Sequence, residues 1–131
     1  MTSLVFVALY WADAVALRSG ADLGPRTGCA PTEELARRLG PDADREEVEY
    51  AALHQAGEYA PATTARRLVL AADVEPAQLA GAGDGWGGVT VAGLRWSQVS
   101  ALFADEPGAT GDHDGDLLWF APQELDQLRP V

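Results

Sequence analysis

The run Leu4-Val5-Phe6-Val7-Ala8-Leu9 constrains the fold more than any other feature of the chain. Successive side chains of a strand point to opposite faces, so a continuous apolar run leaves neither face fit for water. The run therefore predicts a central strand of a sheet covered on both sides. It has no basic lead, and Asp13 and Arg18 follow soon after it, so neither a signal peptide nor a membrane-spanning helix is expected.

The rest of the chain alternates helical and strand signals. A helix is expected from Ala12 to Ser19, stopped by Gly20, with a brief strand around Cys29. Thr32 reads as the N-cap of a short second helix, with Glu33 and Glu34 in its first turn and Arg37, Arg38 and Gly40 at its end. Asp44, followed by Glu47, opens a third helix that places Val48, Ala51, Ala52, Gln55 and Tyr59 on one stripe.

Arg67 to Asp73 is a second apolar strand, and Pro76 starts a helical turn through Leu79. Val89 to Ala92 and Val99 to Phe103 read as two further strands, and Leu117-Leu118-Trp119-Phe120 as the last, with Trp119 in the core and a helix opening at Pro122. The expected architecture is one domain over residues 1–131, α/β or α+β. It has a mixed sheet of about five strands covered by two to four helices, the third helix being the main cover.

Nine basic residues against twenty acidic ones give a formal net charge of −11. That field opposes nucleic-acid phosphates and anionic membrane surfaces, and favours a basic protein partner. Cys29 is the only cysteine, so no intrachain disulfide can form, and a reducing cytoplasm is expected.

The segment most like a site is acidic. Asp112, His113, Asp114 and Asp116 run into the strand at Leu117, and the alternate aspartates have the spacing with which a calcium loop begins. Leu117 stands where such a loop needs glycine, and Gln123 where it needs a bidentate glutamate, so an EF-hand is rejected. An adventitious cation site on Asp112, His113, Asp114 and Asp116 is the alternative to a solvated turn. With Glu124 added, the same groups could serve a small-ligand or metal-dependent enzyme.

Other motifs give less. Gly83-Asp84-Gly85-Trp86-Gly87-Gly88 has the letters of a dinucleotide fingerprint but leads into a strand, so no helix N-terminus would face a pyrophosphate and no cofactor is expected. Cys29, His54 and His113 lack any local signature of a nucleophilic pair, so no catalytic residue is assigned. Glu46 and Glu49 belong to an acidic cluster that suits the helix dipole and could also dock basic residues. Trp86 has only glycines and an aspartate beside it to bury it. If exposed, it is the best contact residue for a partner.

Three segments, Glu46 to Leu53, Arg66 to Val74 and Leu117 to Leu125, together resemble an actinobacterial family known as a domain of unknown function. The resemblance implies a small cytoplasmic α/β domain and brings no activity or cofactor. The expectation is thus a non-catalytic regulatory or protein-interaction module whose partner, basic in character, meets Trp86, Glu46, Glu49, Asp112 and Asp114.

Overall fold

The computed structural model describes residues 2–59, 66–81, 86–106 and 117–129. Its strands are β1 (Ser3–Leu9), β2 (Arg26–Cys29), β3 (Leu68–Val74), β4 (Leu79–Gly81), β5 (Gly88–Val91), β6 (Val99–Ala104) and β7 (Leu118–Phe120). They form one sheet in the order β4-β5-β2-β1-β3-β6-β7, with β1 in the middle. Every neighbouring pair is antiparallel.

The class is therefore α+β, and the sheet has seven strands rather than about five and is antiparallel rather than mixed. The connection from β1 to β2 passes through a helix and is long enough for a parallel crossover, yet it returns the chain antiparallel. The strand missed altogether is β4, whose three residues carry no apolar run and are placed by pairing with β5.

Both faces of β1 are covered, as its composition requires. On one face Val5, Val7 and Leu9 join Leu68, Leu70, Val74 and Leu102, covered by Leu17 of α1 (Trp11–Arg18) and by Leu125 and Leu128 of a 3-10 turn at Pro122–Leu128. On the other, Phe6, Cys29, Val69, Ala71 and Ala101 meet Leu35 of α2 (Glu33–Leu39) and Val48, Ala52 and Ala56 of α3 (Arg45–Glu58).

The helix starts are those the side chains dictate. Thr32 Oγ1 accepts from the Leu35 amide at 3.1 Å and Asp44 Oδ1 from the Glu47 amide at 2.9 Å, each satisfying an N–H that a helix leaves free. The α3 stripe closes on Ala56 instead of continuing to Tyr59, which follows the helix and is 44% exposed.

Trp119 also departs from expectation. It is 61% exposed, because β7 is an edge strand paired only with β6, while α3 lies chiefly over β1, β2 and β3. An apolar run at a sheet edge is covered on one side at most, whatever its composition.

Arg67, expected within an apolar strand, is a buried charge. Its Nη2 donates to Asp105 Oδ1 at 2.7 Å, its Nε reaches both carboxylate oxygens, and its backbone amide donates to Oδ2 at 2.9 Å. The pair joins the start of β3 to the residue after β6, on the side where a methyl on Gly57 of α3 would lie 3.4 Å from Arg67 Nη1. The fork pairs each charge with its opposite at hydrogen-bond distance, which is what allows both to be buried.

Candidate functional site: an acidic groove between α2 and α3

The end of α2 and the first turns of α3 enclose an open cleft of about 620 Å³ lined by Leu39, Asp44, Glu46, Glu47, Tyr50 and Ala51. Leu39 and Tyr50 are exposed apolar groups, and three carboxylates stand beside them. The helix creates this mixture. Val48, Ala52 and Ala56 face the sheet at i, i+4 and i+8, which turns Glu46, Glu47 and Tyr50 outward. The carboxylates fall in the first turn, where the helix dipole stabilises them, and Asp44 also caps the Glu47 amide.

Trp86 stands at the end of α2. It is 46% exposed, and the Arg38 guanidinium lies 4.5 Å from its ring centroid, a cation–π contact that holds the indole against the end of α2. Its position depends on Gly87, whose φ is +86° and whose carbonyl accepts from the Ala30 amide at 2.8 Å. A β-carbon there would come within 2.5 Å of the Ala30 carbonyl oxygen and 3.2 Å of Leu35. Arg38, which holds the tryptophan, and Leu39, which lines the groove, are neighbours in sequence at the end of α2.

The other candidates sit apart. Glu49 is paired with Arg45 at 3.1 Å and does not line the groove, whereas Glu46 does. His54 lies on the solvent side of α3, stacked on Tyr50 with ring centroids 6.5 Å apart and 3.7 Å from Glu58, while Cys29 is buried between sheet and helix. That placement separates thiol from imidazole. Glu124 accepts from the Ala121 amide at 2.8 Å and closes the turn that follows β7. Asp112, His113, Asp114 and Asp116 lie outside the described residues, as do residues 82–85 beside Trp86; the glycine-rich stretch leads into a strand, β5, which begins at Gly88 rather than at Val89.

Among the described residues, no group of three or more His, Cys, Asp or Glu side chains could hold a metal ion. No described helix is long and apolar enough to cross a membrane. Leu39 and Tyr50 are the groove residues that the sequence reading passed over. The available signal was that Tyr50 falls off the apolar stripe of α3, which leaves a large aromatic ring facing water.

No curated protein and no solved structure matches the chain. Residues 4–128 match the sequence model of DUF6912, a family of unknown function, and the chain belongs to that family.

Proposed function

We propose that the chain is a non-catalytic, cytoplasmic interaction module that holds a basic, amphipathic segment of a protein partner in the groove between α2 and α3. The observation that carries this reading is the coincidence of an apolar floor (Leu39, Tyr50, Ala51) with Asp44, Glu46 and Glu47 in one cleft of a chain with net charge −11. The two features do different work. The acidic field raises the rate of encounter with a basic segment and repels acidic ones, while the buried aromatic and aliphatic contacts set how long the complex lasts. Trp86, held by Arg38 next to Leu39 at the end of α2, is the exposed aromatic offered as a further contact for the partner. High alanine, glycine and arginine usage supports the actinobacterial source implied by the resemblance.

Fluorescence anisotropy with labelled peptides tests the reading. A Leu/Lys amphipathic peptide should bind saturably, its Leu/Glu counterpart should not, and high salt should weaken the complex. Tyr50→Ala should reduce affinity roughly fivefold or more, as loss of a central aromatic contact does. Glu46→Lys should reduce it more than the charge-matched Glu33→Lys at the start of α2. Equal effects of the two reversals, together with an inert Tyr50→Ala, would reduce the binding to unspecific attraction and defeat the proposal.

A further inference from the structure

A second, smaller pocket of about 210 Å³ lies at the end of the sheet where β1 leaves and β2 enters, lined by Ala8, Leu9, Tyr10, Asp13, Arg26, Thr27 and Tyr59. It owes nothing to the α2–α3 groove. Tyr10 is the N-cap of α1 and Tyr59 the C-cap of α3, so one helix begins and another ends at this pocket. Helix ends carry opposite partial charge, positive at the start and negative at the finish. Asp13, in the first turn of α1, complements the positive end, and Arg26 at the start of β2 stands beside it, so a cation and an anion share one wall.

Two features of the wall are unexplained by folding alone. Arg26 Nη1 and Asp13 Oδ2 are 3.7 Å apart, beyond hydrogen-bond reach, and the two side chains are 34% and 28% exposed. The structural pair elsewhere in this molecule, Arg67 and Asp105, is a 2.7 Å multidentate fork. Arg26 Nε, moreover, is shielded from solvent and has no hydrogen-bond partner among the described residues. A buried donor left unpaired costs about 1–3 kcal/mol.

Tyr10 is a third anomaly. Ser, Thr, Asp or Asn at an N-cap would accept from the helix amides, worth about 1 kcal/mol, but Tyr10 makes no such bond and its ring is 55% exposed at the pocket.

We propose that this pocket binds a free α-amino acid, its carboxylate on the Arg26 guanidinium, its ammonium on Asp13, and its side chain against Tyr10 and Tyr59. The carboxylate meets the guanidinium end of Arg26, whose side chain is 34% exposed and whose Nη1 stands 3.7 Å from Asp13, beyond hydrogen-bond reach, and charge-assisted bonds of this kind are the stronger class. Asp13 excludes the simpler anions. A phosphate drawn to Arg26 would sit against a carboxylate in a chain of net charge −11, whereas a zwitterion meets both charges with no net addition. Neither terminus of a peptide offers both charges on one α-carbon. The volume suits a ligand of this size rather than a nucleotide, because cofactor and drug-sized sites run from about 300 Å³ upward.

Two-dimensional 1H–15N spectra of the full chain decide the matter, titrated with L-leucine, L-phenylalanine and L-glutamate, with N-acetyl-L-phenylalanine and L-phenylalanine amide, and with inorganic phosphate. At least one free amino acid should shift the amides of Tyr10, Asp13, Arg26 and Thr27 saturably, and blocking either charged group should weaken binding roughly tenfold or more. Arg26→Gln should abolish the shifts. Asp13→Asn, an isosteric change at a part-exposed side chain that removes only the negative charge, should erase the preference for the free over the N-acetylated ligand. The proposal is overturned by the absence of saturable shifts up to the solubility limit, by phosphate binding as tightly as the amino acids, or by Asp13→Asn retaining the full preference. None of these outcomes touches the peptide groove, which is read on Tyr50 and Glu46.

Discussion

The two faces of the sheet are built on different principles. Toward α1 the core is large and aliphatic, with Val5, Val7, Leu9, Leu68, Leu70, Val74, Val91 and Leu102 closing on Leu17, Leu125 and Leu128. Toward α3 it is thin: Ala71, Ala101, Cys29, Ala52 and Ala56 let helix and sheet approach closely around Phe6, Val69, Leu35 and Val48. Apolar burial scales with area, so the α1 face supplies most of the hydrophobic stabilisation. The α3 face instead relies on close fit and on the buried Arg67–Asp105 fork. It is also the face whose helices display Tyr50, Glu46 and Leu39 to solvent. The α1 layer thus carries most of the apolar core, and the α3 layer carries the acidic groove.

The fork is where this comparison is most easily broken. Asp105→Ala leaves the Arg67 guanidinium buried without its countercharge and should cost about 3–5 kcal/mol by chemical denaturation. The double change Arg67→Met with Asp105→Leu should recover most of that loss, because a buried ion pair replaced whole by apolar groups of similar volume is often neutral. If the double variant were as unstable as the single one, the pair would be contributing net stability beyond mutual compensation.

Close fit is the second support of the α3 face. Gly87→Ala must hold a side chain at φ +86° with its β-carbon 2.5 Å from the Ala30 carbonyl, and should cost about 2–4 kcal/mol. It should also displace Trp86 from Arg38, seen as a change in tryptophan emission in the folded protein. Stability lost with the emission unchanged would show that the indole is positioned by α2 rather than by this glycine.

A matched pair of truncations then compares the faces directly. Val5 points into the α1-side core and Val69 into the α3-side core, and both are fully buried. Val→Ala removes the same atoms from each, so the difference lies in how far the surroundings settle into the gap. Large interlocked neighbours around Val5 hold the cavity open, and a cost of about 2–3 kcal/mol is expected. A helix resting on alanines can shift toward Val69, which lowers the expected cost to about 1–2 kcal/mol. Equal losses would mean that the thin layer is as rigid as the thick one.

Much of this organisation is legible in the sequence, and the failures have physical causes. Leu4 to Leu9 announces a strand covered on both faces because composition records burial, and Thr32 and Asp44 announce helix starts because capping is local. What is not local is not written locally. The partner of Arg67 lies 38 residues away, so its charge inside an apolar run reads as a strand end. The three residues of β4 are recruited by β5 without an apolar signal of their own. The site divides in the same way: Glu46 and Trp86 stand out by composition. Arg26 and Asp13, from separate elements, become neighbours only once β2 is paired beside β1.

Trp119 gives the smallest effect and the sharpest contrast, since by composition it belongs with the core and by position it does not. It lies opposite Phe103 on the last strand of the sheet, on the α3 side, with 61% of its surface exposed. Its neighbour Leu118 is 39% exposed, so the apolar character of the segment is not translated into burial. Trp119→Ser should therefore change stability by no more than about 0.5 kcal/mol, the range of surface substitutions remote from special features. A tryptophan in a core would cost about 3–5 kcal/mol on truncation. A measured loss in that higher range would show that β7 is covered in the working state of the protein. A value near zero fixes the edge of the α3-side layer at Phe103, which packs edge-on against Phe6 with ring centroids 6.2 Å apart.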